Sequence, residues 1–141
     1  MRFLGIDPGL QHTGWGVIES KNDSLRFIAA GVINTSPKQE MPDRLVEIYK
    51  GLVGVLDRYK PDSAAIEETY VNKNYGSSLK LAHARSAAIL TLSLSSLKPI
   101  EYSAKTIKKT LVGSGGAEKQ QVMNMLNLLM PGIKISSKDA S

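Results

Sequence analysis

The chain has 141 residues, enough for one domain (residues 1–141) with a real buried core. Lys and Arg number 18 against 13 Asp and Glu, a formal charge of +5 that suits a polyanionic partner as well as it suits simple solubility. Cysteine is absent and the two histidines, His12 and His83, lie far apart, which excludes a disulfide framework and a Cys-based zinc site and leaves oxygen ligands and a hard ion as the metal chemistry open to the chain.

Residues 3–7 form a short apolar run stopped by Pro8-Gly9, the pattern of a buried strand. This opening meets an acid and a turn before a signal-peptide core could form, so the expectation is a cytoplasmic protein without membrane attachment. Residues 13–20 and 25–33 follow as two more strands. Residues 21–24 between them are turn-forming, so an antiparallel three-strand meander is expected. A helix comes next, with Leu45, Ile48, Tyr49, Leu52, Leu56 and Tyr59 on one apolar stripe. Pro42 suits its first turn, Asp43 the positive end of its dipole, and Pro61 its termination.

Residues 63–67 read as a buried strand ending in acids, and residues 68–76 as a polar loop. Residues 77–97 form a second helix whose small residues, Ala82, Ala84, Ser86, Ala87 and Ala88, suit close packing on several sides. A fifth strand is expected at residues 100–103, and helices at 104–111 and 117–130. The order of elements gives an α/β fold in which parallel strands join the antiparallel meander in a mixed five-stranded sheet flanked by helices.

Asp7 and Glu67 each end a strand. Functional groups gather at the carboxyl ends of parallel strands, so if the first and fourth strands are neighbours the two acids face one site. Two carboxylates so placed repel each other, and a divalent cation relieves that repulsion. Asp139 is a third acid, about which spacing alone says little.

The pattern around these acids carries more information than any of them singly. The stretch Gly5-Ile6-Asp7-Pro8-Gly9, then Thr13-Gly14-Trp15-Gly16-Val17, resembles the opening of the RuvC-type Holliday-junction resolvases, within the RNase H-like nucleases. Ala65-Ile66-Glu67 followed by Tyr70 is similar to their second acidic motif. Lys73-Asn74, Ser78-Leu79-Lys80-Leu81, Ala84-Arg85 and the run from Val112 to Val122 match later motifs in order and spacing.

The resemblance implies an RNase H-like fold and a homodimer that nicks two opposed strands of a four-way DNA junction, working with a branch-migration complex of the RuvA and RuvB type. It implies a carboxylate set for two Mg²⁺ ions, which Mn²⁺ could replace. Asp7 would bridge both ions, with Glu67 on one and Asp139 on the other. Lys108 and Lys119 match basic positions near the scissile phosphate, and Tyr70 matches an aromatic beside the active site. Lys73, Lys80, Arg85 and Lys105 are candidate phosphate contacts. Trp15 and His83 read as structural, with His83 on the 77–97 helix that is the candidate dimer interface.

The family's fourth acid belongs three residues after Asp139, one position past Ser141. A chain ending there lacks that acid and the final helix built around it. The expectation is weaker metal binding and reduced or absent cleavage, with junction binding retained through Lys and Arg contacts to phosphate. The alternative function is therefore a cleavage-deficient junction-binding module. The Gly-Ile-Asp opening is also similar to the phosphate motif of actin-like ATPases, but those need two such domains around a nucleotide, more than this length supplies. An RNase H-like enzyme acting on RNA–DNA hybrids is disfavoured by the ordered later motifs.

Overall fold

A computed structural model describes residues 1–22, 24–68 and 75–102, with Leu25 and Tyr102 described by their backbones alone. Within them lie β1 (Arg2–Asp7), β2 (His12–Lys21), β3 (Ser24–Asn34), α1 (Met41–Tyr59), β4 (Ser63–Glu67), α2 (Tyr75–Leu94) and β5 (Ile100–Tyr102). The helices expected at 104–111 and 117–130 lie outside the described residues.

The five strands form one sheet in the order β3-β2-β1-β4-β5. β1 pairs antiparallel with β2, and β2 with β3, while β1–β4 and β4–β5 are parallel. The mixed sheet expected from the sequence is thus present, with β1 at its centre. Strand alternation decides what each face does. Leu4 and Ile6 of β1, and Ala64 and Ile66 of β4, turn to one side and join Ile48, Leu52 and Leu56 of α1 and Ala84, Ala88 and Leu92 of α2 in a single core. Alanine at positions 84 and 88, one helical turn apart, lets α2 approach closely.

Pro42 occupies the first turn of α1, as its sequence requires, and Asp43 sits at the positive end of the dipole. The helix stops at Lys60, which adopts a left-handed conformation (φ 46°) and donates its backbone N–H to the Leu56 carbonyl at 2.9 Å, with Pro61 barring continuation. Tyr49, expected on the buried stripe, is instead 44% exposed, and Val55 takes a buried place. The stripe runs through 45, 48, 52 and 55–56, and position 49 falls at its edge.

α2 ends at Leu94, three residues before the expected Leu97. Ser96 adopts φ 63°, and the N–H of Leu97 bonds back to the Leu92 carbonyl at 2.9 Å. This left-handed closure satisfies the last carbonyls and stops the helix within an apolar-looking run. No helix among the described residues is long and apolar enough to cross a membrane.

Trp15, in register with Ile6 on the helical face of the sheet, packs on Tyr59 with ring centroids 5.6 Å apart. Gly31 makes room for it, since a Cβ there would come within 2.7 Å of the indole. The structural role read for Trp15 agrees with these contacts.

Candidate functional site

The site begins with two strand ends. β1 and β4 run parallel with Ile6 opposite Ile66, so the next residues, Asp7 and Glu67, stand side by side at the carboxyl ends. Ile6 and Ile66 are fully buried on the helical face. Alternation therefore sends both carboxylates to the opposite face, and both are partly buried. On the other flank Asp7 is in register with Gly14 of β2, which has no side chain to crowd it. Glu67 is in register with Tyr102 of β5.

Burial first, then a side-chain hydrogen bond to Glu67 and the charge of Glu67, together push the Asp7 carboxyl up to about 8. At neutral pH, therefore, Asp7 resists losing its proton. A proton is the smallest cation able to hold two carboxylates together. A divalent cation performs the same service and brings more charge, so the oxygen donors present fit Mg²⁺ or Mn²⁺. Asp7 and Glu67 are two residues that could hold such an ion. Among the described residues no group of three or more His, Cys, Asp or Glu converges. Asp139, the expected third ligand, lies outside the described residues, as do Lys108, Lys119, Tyr70, Lys73 and Lys105.

Of the expected DNA contacts, Lys80 is exposed on the first half of α2. Arg85 is differently committed: its guanidinium donates to the Glu101 carboxylate of β5 in an ion pair that ties α2 to the sheet edge. His83 is exposed on α2 and lines a shallow apolar groove of about 320 Å³ between the two helices. Sequence reading missed Thr13, Thr35 and Arg44, which hold the loop following Asp7. Their pattern is ordinary in sequence, and only the meeting of β2, β3 and α1 at this end of the sheet reveals it.

A mixed sheet of this order, with adjoining carboxylates at the ends of its central parallel strands, defines the RNase H-like nuclease class. The chain matches the family model described as "Crossover junction endodeoxyribonuclease RuvC" over residues 3–141, and it belongs to that family. Curated relatives of that name include one from Beijerinckia indica, 46% identical over 140 residues, covering 99% of this chain and 80% of the relative. One from Granulibacter bethesdensis is 48% identical over 141 residues, covering 100% and 79%. Among solved structures, Thermus thermophilus RuvC in complex with a Holliday junction substrate superposes with a TM-score of 0.76 at 26% identity, covering 99% of this chain and 87% of that one. The yeast mitochondrial Holliday junction resolvase, at 16% identity and a TM-score of 0.55 over 92% of this chain and 63% of that one, shares the fold.

Proposed function

We propose that this protein is a structure-specific endonuclease that resolves four-way DNA junctions by paired symmetric nicks, through metal-assisted hydrolysis of phosphodiester bonds. The observation that carries the reading is the contact between Asp7 and Glu67 at adjacent strand ends of a RuvC-family chain. Asp7, Glu67 and Asp139 are the residues that would hold divalent metal, two Mg²⁺ ions or Mn²⁺ in their place. Bound there, the metal supplies activation of water for attack on phosphorus and charge stabilisation for the leaving 3′ oxygen. Asp7 and Glu67 orient the site from the sheet, and the bare Gly14 beside Asp7 leaves space for a phosphate to approach.

Lys108 and Lys119 steady negative charge near the scissile phosphate. Tyr70 stacks on or wedges against bases opened at the junction centre. Lys73, Lys80 and Lys105 contact the phosphate backbone, and Arg85 does so on leaving Glu101.

Two equivalent nicks call for two equivalent sites, which a two-fold dimer provides. The α2 face supports this. Leu79, Leu90 and Leu94 are exposed there, and Leu90, His83 and Ala87 line the groove with Leu45, Val46 and Tyr49 of α1. A second copy of the chain is the proposed occupant. A branch-migration complex of the RuvA and RuvB type in the cytoplasm completes the proposal.

The test is incubation of the purified chain with a labelled four-way junction, a linear duplex and an RNA–DNA hybrid, with Mg²⁺ or EDTA. Paired nicks confined to the junction and lost in EDTA, even if slow, support the resolvase. Junction binding without nicks would replace the resolvase with a binding module, and cutting of the hybrid would replace it with another RNase H-like activity.

A further inference from the structure

The segment joining β1 to β2, residues 8–11, carries the backbone away from Asp7. Three hydrogen bonds hold it, and a fourth braces one of their donors. The Thr13 hydroxyl donates to the Gly9 carbonyl at 2.7 Å. The Thr35 N–H donates to the Gln11 carbonyl at 3.0 Å. The Thr35 hydroxyl donates to the Leu10 carbonyl, and Arg44 Nε–H donates to the Thr35 hydroxyl oxygen at 3.0 Å. Gly9 has no freedom to carry a side chain, because a Cβ there would collide with the His12 carbonyl oxygen.

Arg44 is the unusual member. It is 8% exposed, and among the described residues it forms no ion pair. It also sits in the first turn of α1, where the helix dipole disfavours a cation. Burial without an ion-pair partner and an adverse dipole are both costs. Helix stability therefore gives no account of this residue, whereas hydrogen-bond direction does. A guanidinium N–H can only donate, so the Thr35 oxygen must accept from it. The single hydroxyl proton is then committed to the Leu10 carbonyl. Arg44 thus fixes the rotor of Thr35, and Thr35 fixes the segment next to Asp7.

We propose that Arg44 and Thr35 are positioning residues for the metal-holding end of β1: their relay onto the Leu10 carbonyl keeps the Asp7 carboxylate set against Glu67 for a divalent cation. The proposal rests on the reading of Asp7 and Glu67 as metal-holding residues. It requires that the two loops and the helix meeting here act on metal affinity rather than on stability alone.

Calorimetric titration of the metal-free full chain with Mn²⁺ tests it, alongside thermal unfolding in EDTA and four-way junction binding in EDTA. Thr35→Val is expected to weaken Mn²⁺ binding about tenfold or more, as loss of a group that orients a ligand does. Thr35→Ser, which keeps the hydroxyl, is expected to restore it, and junction binding in EDTA should be unchanged in both. Arg44→Lys retains a cation but delivers its N–H from a different position. It is expected to weaken Mn²⁺ binding severalfold, and it decides the matter if Thr35→Val does not fold. Wild-type Mn²⁺ affinity in Thr35→Val or Arg44→Lys, or failure of Thr35→Ser to restore it, overturns the relay. Undiminished Mn²⁺ binding by Asp7→Asn is a different failure, because it removes the metal reading itself and the relay with it.

Discussion

The two ends of β1 handle charge in opposite ways. At the amino end Arg2 is fully engaged: its Nη1 donates to the Tyr59 carbonyl at 2.8 Å, its Nε lies 3.4 Å from Glu19, and its backbone N–H donates to Asp62 at 2.8 Å. Glu19 is shared with Arg26 at 3.2 Å. At the carboxyl end, five residues away on the same strand, Asp7 is partly buried beside a second acid, and burial first and that acid next drive it up to about 8. The first end closes the sheet onto α1 and β4 with its charges matched. The second sets two acids side by side, an arrangement that costs stability once both ionise and makes chemical sense when a cation is to be bound.

Asp7→Asn probes this contrast most strongly. Cleavage of a four-way junction in Mg²⁺ should fall on the order of 10³-fold or more, measured by single-turnover kinetics. The metal-free protein should nevertheless gain stability at pH 8, by about 1–3 kcal/mol, a fraction of the full shift because the pair is partly open to water. Retained cleavage would place the chemistry elsewhere.

The same contrast fixes a pH dependence. The folded chain holds a proton on Asp7 that the unfolded chain releases near its ordinary value of 3.8. That contribution to stability is complete below about pH 4 and is lost as pH rises through about 8. In EDTA, wild type and Asp7→Asn should therefore unfold alike near pH 4 and diverge toward pH 8–9, with the Asn variant the more stable. Saturating Mg²⁺ should reverse that order, since the cation binds the folded wild type. Parallel pH profiles in EDTA would show that the acids do not oppose each other.

The groove on the helical side is the next place to press. Leu90→Glu puts a charge on an exposed apolar surface between α1 and α2. If a second copy covers it, dimer dissociation should rise about 100-fold or more by analytical ultracentrifugation, and paired nicks should become uncoupled single nicks. An unaltered sedimentation profile would remove this face as the interface.

Much of this was legible in the chain. Pro8-Gly9 and residues 21–24 punctuate the meander, and Asp7 and Glu67 stand out as acids at the ends of apolar strands. What local pattern could not supply was anything depending on which elements meet. Arg85 reads as one more basic residue on α2 until β5 brings Glu101 to it. Tyr49 reads as core until the rotation of α1 turns it to the rim of the groove. Arg44 is a polar residue in a first helical turn until Thr35 arrives from the end of β3. The early end of α2 depends on one serine entering a left-handed conformation, which composition does not announce.

The smallest expected effect lies at the matched end of β1 and sharpens the contrast from the other side. Glu19→Gln removes the charge shared by Arg2 and Arg26 and keeps one oxygen, which can accept from one of the two arginines in place of the two oxygens that accept now. Both ion pairs are longer than 3 Å and Arg26 is largely exposed, so solvent screens much of the attraction. Arg2 keeps its bond to the Tyr59 carbonyl in the variant. The loss should be about 1 kcal/mol or less by urea unfolding, smaller still at high salt. Nicking and Mn²⁺ binding should be unchanged, because the substitution leaves the carboxyl end of β1 untouched. A large loss of activity from Glu19→Gln would mean that the two ends of the strand are coupled, and that the division between a matched end and a metal-holding end is wrong.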